Sequence, residues 1–294
     1  MIFRTRFAPS PTGPLHLGHA YSALLAQDMA AAHGGECLLR IEDIDRSRAR
    51  TEWENLIFED LRWLGLSWPK PALRQSDRLQ TYQRHLETLW HAGLLFPCSC
   101  RRKDIEAATT APQEGGAPIV GPDGTIYPGT CRNSLSAHPH GAMPNQALRL
   151  KMAEAARSLL QDSGETEFYF LEDGEGPNGE TGRISFGVEE LVSQIGDVVL
   201  SRRDMGTSYH LSVVLDDAEQ EITHVPRGQD LFEATKIHVI LQKLLGLPTP
   251  VYRHHRLIRD ESGKRLAKRD DARAIRKYRE EGATPADIRA LVGL

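Results

Sequence analysis

Apolar positions along this 294-residue chain fall into short extended runs separated by longer stretches of helical period. Ile2 to Phe7 reads as an extended segment and stops at Ala8-Pro9-Ser10-Pro11-Thr12-Gly13, where prolines and glycine break any regular element. Leu17 to Ala32 is Ala-rich with helical spacing and ends near Gly34-Gly35. Cys37 to Ile41 reads as a short buried strand. Helical patterns return at Arg50 to Leu64 and at Asp77 to His91, with Ser76 placed to cap the second, and Leu94-Leu95-Phe96 follows. Strands alternating with helices predict an α/β fold, a parallel sheet with helices on its faces.

The middle of the chain breaks this rhythm. Thr109 to Pro144 is rich in Gly, Pro, Ala and Ser with little periodicity, and Asp173 to Gly182 is a second polar, Gly-rich stretch. Ala147 to Met152 and Glu167 to Phe170 look like strands, so the segment is expected to carry a small sheet of its own. Alternation then resumes: a strand over Asp197 to Leu200, a helix over Tyr209 to Ala218, a strand over Glu221 to Val225, an amphipathic helix over Gln229 to Leu245 and a last strand over Val251 to His254. The expected organisation is a Rossmann-like domain in two halves, 1–97 and 196–255, an insertion over 98–195, and a loop with a short helical tail over 256–294.

Composition adds limits. Hydrophobic residues make up 40% and charged residues 26%, ordinary values for a chain that buries a core. The 36 basic and 40 acidic residues leave a net charge of -4, so global charge does not mark a nucleic-acid binder. Arg253 to Arg279 nevertheless concentrates basic residues and reads equally as a solvated face or an RNA contact. The N-terminus has no apolar signal-peptide core, and no run approaches the ~18 apolar residues of a membrane helix. A cytoplasmic protein is expected.

Three motifs carry candidate chemistry. His16-Leu17-Gly18-His19 sits where the first strand passes into the first helix. A helix N-terminus there offers unpaired N–H groups and a partial positive charge to phosphate. Gly18 leaves room for a nucleotide, and the two imidazoles share one face. The bland alternative is a pair of unrelated surface histidines. Arg265-Leu266-Ala267-Lys268-Arg269 is a cationic loop that can neutralise charge as pyrophosphate leaves, or can simply pair with Asp270 and Asp271. Cys98, Cys100 and Cys131 fall in one stretch and suit a closed structural zinc site better than a disulfide framework; buried free thiols are the alternative. Cys37, inside a strand, reads as core.

The paired His16-Leu17-Gly18-His19 and Arg265 to Arg269 stretches resemble the HIGH and KMSKS elements of class I aminoacyl-tRNA synthetases. Arg6 to Gly13, Arg40-Ile41-Glu42-Asp43-Ile44-Asp45, Tyr209-His210-Leu211 with Asp216-Asp217, and Arg227 to Leu231 narrow the resemblance to the glutamyl branch. These motifs recur in order from residue 6 to residue 269. The resemblance implies that Arg6, Ser10, Glu42, Tyr209 and Arg227 bind the amino acid. Arginine forks suit its carboxylates and Glu42 suits its ammonium. It also implies ATP over His16, Gly18 and His19, with Lys268 on the phosphates, His16, His19 and Lys268 as the catalytic set, and Mg2+ accompanying the nucleotide. Arg265 and Ala267 depart from the usual Lys and Ser of the loop.

Within that branch the pattern of Cys98, Cys100, Tyr127 and Cys131, together with only 25 residues after Arg269, is similar to a truncated subfamily. Its members activate L-glutamate without tRNA and esterify it to the queuosine base of tRNA(Asp). That resemblance implies a zinc ligand at Tyr127, with His138 as the conventional substitute, and an anticodon stem-loop partner met through phosphates. A minimal synthetase charging a tRNA 3′ end and a non-catalytic glutamate- or RNA-binding paralogue stay open as alternatives.

Overall fold

The structure is a computed structural model that describes residues 2–110, 119–132, 141–259 and 273–294. In chain order, β1 (Arg4–Phe7) leads to α1 (Leu17–Ala32) and back to β2 (Glu36–Ile41), the first crossover. Next come α2 (Thr51–Trp63), β3 (Leu73–Arg74), α3 (Leu79–His91) and β4 (Leu95–Cys98). The middle holds α4 (Arg102–Thr110), the hairpin β5 (Val120–Gly121) and β6 (Gly124–Thr125), β7 (Ala147–Leu150), α5 (Met152–Ser163), β8 (Phe168–Glu172), β9 (Gly182–Phe186) and the single turn α6 (Val188–Glu190). The chain then forms β10 (Val199–Ser201), α7 (Tyr209–Glu219), β11 (His224–Gly228), α8 (Ala234–Leu244), β12 (Val251–His255), α9 (Ile275–Glu280) and α10 (Pro285–Val292).

The sheets are mixed, with a parallel centre. β1, β2 and β3 run parallel, and β11, β12 and β8 run parallel with β9 antiparallel at the edge. The two meet along β1 and β11: Thr223 N donates to Arg4 O at 3.0 Å, and two residues on Arg6 reaches the Pro226 carbonyl. Crossovers leave this seam in opposite directions, through α1 to β2 and through α8 to β12. In open α/β sheets such a reversal opens a crevice beyond the strand C-termini.

Two large cores hold the described residues together. Phe7, Leu39, Ile41, Leu61 and the tail residues Ile275, Ile288 and Val292 form one. Tyr82, Leu95, Phe168, Leu211, Ile240 and Tyr252 belong to the other. The tail is therefore packed against the first half: Arg289 makes a two-pronged pair with Asp28 on α1, both bonds at 2.8 Å.

Several sequence expectations shift. The strands expected at 147–152 and 167–170 do not share a private sheet: β7 lies between β4 and β10, β8 joins β12, and only the short hairpin β5–β6 pairs within the segment among the described residues. A helix, α5, occupies a stretch the pattern left blank and buries Met152, Ala153, Ala155 and Ala156. Ser76 does not cap α3; its N and Oγ both donate to Asp43, at 2.8 and 2.6 Å. The strand expected at Glu221 begins at His224, because Glu221 takes a left-handed turn with φ of 53°. The helix expected from Gln229 starts regularly only at Ala234. Arg227 Nη2 and Thr235 Oγ1 both bond the Leu231 carbonyl, while Thr235 N turns to Phe232 O.

Candidate active site and metal centre

The crevice at the β1/β11 seam is built from charge. Arg6 and Arg227 lie one residue before the ends of β1 and β11, 7% and 5% exposed. Arg40, fully buried on β2, donates from Nη1 to Asp217 Oδ1 at 2.7 Å, and Arg6 Nε donates to the same oxygen at 3.0 Å. Burial alone would raise the Asp217 carboxyl, but Arg6 and Arg40 hold it below its usual range. Burial opposes the charge on Arg40, yet Asp217, Glu42 and Asp216 more than offset it. Asp216, also fully buried, accepts from Gln75, Arg78 and the Tyr82 hydroxyl. Asp217 thus orients two arginines at once, and buried ions persist only with such pairing.

Glu42 follows β2 and is held in place because its N–H donates to Pro9 O at 3.0 Å. The prolines after β1 therefore bind the loop carrying Ser10 to the end of β2. Burial raises the Glu42 carboxyl, with Arg40 and then Arg6 pulling it back. Burial also raises the Tyr209 phenol, which stays a neutral hydroxyl with Arg227, Glu42, Arg6 and Asp217 as its charged neighbours. Arg227 Nη1 meets His238 Nδ1 at 2.9 Å and Nη2 donates to Leu231 O at 3.2 Å. Its Nε is buried and has no hydrogen-bond partner among the described residues. A buried guanidinium N–H without a partner is costly, and this one sits among the predicted amino-acid-binding side chains.

His16 and His19 do more than share a face. His16 precedes α1, its Nδ1 accepts from Gly18 N at 3.1 Å, and its own N–H donates to His19 Nδ1 at 3.2 Å. The imidazoles form a capping box, which leaves Nε2 as the donor nitrogen of each neutral ring. A Cβ on Gly18 would stand 3.1 Å from His16 Cε1, so a larger residue here would press on the capping imidazole. Lys268, Arg265 and Ala267 lie outside the described residues. The chain on either side of them rests on α1: His255 Nε2 is 2.8 Å from Ser22 Oγ, Ala274 bridges His16, and Ile275 N donates to Leu15 O.

Cys98, Cys100 and Cys131 converge, their sulfurs all within 4.8 Å of one another. The Cys100 and Cys131 sulfurs are 3.4 Å apart, and the Tyr127 hydroxyl stands 3.5 Å from Cys98 and 3.7 Å from Cys100. Zinc–sulfur bonds of about 2.3 Å in a tetrahedron put sulfurs about 3.8 Å apart, so the donor set is consistent with a metal site. Arg149 lies over the Tyr127 ring, 4.0 Å from its centre, and donates from Nε to Cys98. Burial works against a Cys131 thiolate, but bonds from Tyr127 and the Ser99 backbone bring the thiol down to about 6. His138 lies outside the described residues. A separate groove of about 680 Å³ runs along α3, lined by Leu79, Gln83 and Arg84 among others, and none of the expected site residues lines it.

Sequence reasoning missed Arg40 and Asp217 as site builders and His238 entirely. An arginine inside the otherwise apolar run Cys37-Leu38-Leu39-Arg40-Ile41 was the available signal for a buried ion pair. A histidine on the apolar face of α8 carries no such signal.

The family described as tRNA synthetases class I (E and Q), catalytic domain, matches residues 2–294. A glutamyl-Q tRNA(Asp) synthetase of Rhodobacter capsulatus is 61% identical over 290 residues, 99% of each chain. That of Nitratidesulfovibrio vulgaris is 38% identical over 98% of this chain and 84% of its own. Among solved structures, a glutamate tRNA ligase from Elizabethkingia meningosepticum in complex with its amino acid superposes with a TM-score of 0.71 at 26% identity. This chain covers 60% of that protein's length. A methionyl-tRNA synthetase of Mycobacterium tuberculosis shares the fold, with a TM-score of 0.58 at 12% identity. The chain belongs to the class I tRNA synthetases of the E and Q type, through their catalytic domain.

Proposed function

We propose that this chain activates L-glutamate with ATP, without tRNA, and transfers the glutamate to the queuosine base of tRNA(Asp). The observation that carries the first half is the convergence of Arg6, Arg227 and Glu42 around Tyr209 at the seam, with the buried Arg227 Nε lacking a partner among the described residues. Two cationic forks and one anion match two carboxylates and one ammonium. The curated relative aligned over 99% of both chains carries the queuosine activity in its name, which supports the second half.

In this reading Arg6, Ser10, Glu42, Tyr209 and Arg227 hold the amino acid. ATP lies over His16, Gly18 and His19, whose ring Nε2 donors and helix N-terminus face its phosphates, and Lys268 reaches them from the loop. An oxygen of the α-carboxylate attacks the α-phosphorus, the bond to the bridging oxygen breaks, and glutamyl-adenylate and pyrophosphate result. The protein aligns and stabilises charge and supplies no nucleophile. Mg2+ accompanies the nucleotide, held largely by phosphate oxygens. Cys98, Cys100, Tyr127 and Cys131 would bind a structural Zn2+ within the insertion 98–195, between Rossmann-like halves 1–97 and 196–255. The basic stretch within the tail 256–294 contacts the anticodon stem-loop.

Glutamylation of tRNA(Asp) with and without queuosine tests the acceptor. Alkali-labile glutamate is expected only on queuosine-containing tRNA(Asp). Label on the 3′-terminal ribose of tRNA(Glu) would overturn the assignment in favour of 3′-end charging.

A further inference from the structure

Arg227 does not hold its position alone. Its Nη1 lies 2.9 Å from His238 Nδ1, and His238 Nε2 lies 3.1 Å from His210 Nδ1. His210 Nε2 is in turn 3.5 Å from Asp123 Oδ1, in the turn between β5 and β6. His210 and His238 are buried, at 6% and 1% exposure. A guanidinium only donates. His238 Nδ1 must therefore accept, which places the His238 proton on Nε2. That N–H donates to His210 Nδ1, so the His210 proton is on Nε2, facing Asp123. Every direction in the line follows from the first bond.

We propose that His238 is the positioning residue for the amino-acid pocket: as a neutral acceptor, with its tautomer set through His210, it turns Arg227 so that Nε faces the substrate carboxylate. This rests on Arg227 binding glutamate. The device also fits the charge around it. Burial and then the guanidinium of Arg227 keep the His238 ring neutral. A protonated His238 would oppose Arg227 with a second donor. The line begins in the hairpin of the insertion, so the insertion contacts the glutamate pocket through Asp123.

Steady-state ATP–pyrophosphate exchange with glutamate varied tests the proposal in the full chain. His238→Leu is expected to raise the KM for glutamate about tenfold, the scale of one charge-assisted hydrogen bond. The kcat and the KM for ATP should stay within about twofold. His238→Gln, whose amide oxygen can accept from Arg227, is expected to recover most of the loss. An unchanged glutamate KM in His238→Leu overturns the proposal, as does an equal loss in kcat and both KM values in both variants. Nitrogen NMR of the histidine rings in the unaltered protein gives an answer that does not depend on a variant folding: His210 and His238 are expected as Nε2–H tautomers, and an Nδ1–H His238 overturns the assignment. Arg227→Ala separates the two layers. If it leaves glutamate KM unchanged, the pocket reading fails; if it raises KM while His238→Leu does not, only the positioning role fails.

Discussion

At the β1/β11 seam, opposite charges alternate: Arg40 against Asp217, Asp217 against Arg6, Glu42 beside Arg40. At the cysteine cluster, like donors are gathered: three sulfurs and a phenol oxygen, with Arg149 stacked on the ring. The first arrangement is internally neutralised, so the protein itself can fix side-chain directions before substrate arrives. The second brings together atoms that, once deprotonated, repel one another, and a shared cation would supply its cohesion. One region is therefore expected to be rigid by its own pairing, and the other to depend on solution conditions.

Breaking the seam should have the largest effect. Asp217→Ala leaves Arg6 and the fully buried Arg40 without their shared counter-charge. The expected cost is about 3–5 kcal/mol in denaturant unfolding, and a midpoint equal to that of the unaltered protein would show that the alternating charges do not hold the crevice. Chelation should act more locally. Removing a bound metal is expected to open residues around Cys98 to Cys131 to proteolysis while glutamate KM moves by no more than about threefold, the share carried by Asp123. Equal sensitivity of both regions would erase the contrast.

A smaller effect sharpens it. Asp60 on α2 is fully buried, neither of its carboxylate oxygens has a hydrogen-bond partner among the described residues, and Arg279 on α9 is 3.6 Å away. Burial pushes its carboxyl up to about 6, from an ordinary 3.8. The folded state binds this proton more tightly than the unfolded chain. The associated stability is fully present below about pH 4 and is lost as pH rises through about 6. Asp60→Asn is expected to stabilise the protein at pH 8 by on the order of 1 kcal/mol, a fraction of the full linkage because the amide is also buried unpartnered. The difference should vanish toward pH 4, measured by thermal unfolding across pH. A destabilised variant at pH 8 would mean that the pair with Arg279 outweighs the burial.

Much of this was legible along the chain, for identifiable reasons. Elements with a clean period, such as α1 and β2, declare themselves because packing and local preference agree. Three cysteines in one stretch point to a metal site by themselves, whereas Arg6, Glu42 and Arg227 stand out only through the motifs that resemble the glutamyl branch. What stayed hidden depends on contacts distant in sequence. His238 becomes part of the pocket only when α8 lies against β11 and α7. Asp217 reads as one of two acids on a helix until β1 and β2 bring Arg6 and Arg40 to the same oxygen. The later start of regular helix at Ala234 follows from Arg227 occupying the Leu231 carbonyl, a tertiary bond that no local pattern encodes.

The central claim is that the seam between the two halves is a pocket for glutamate beside a nucleotide site. Glutamate-dependent ATP–pyrophosphate exchange by the purified chain, with no tRNA present, tests it most directly. The account predicts exchange that saturates with L-glutamate and is weakened by Arg227→Ala through the glutamate KM, by about tenfold or more. Absence of exchange at saturating glutamate and ATP would contradict it.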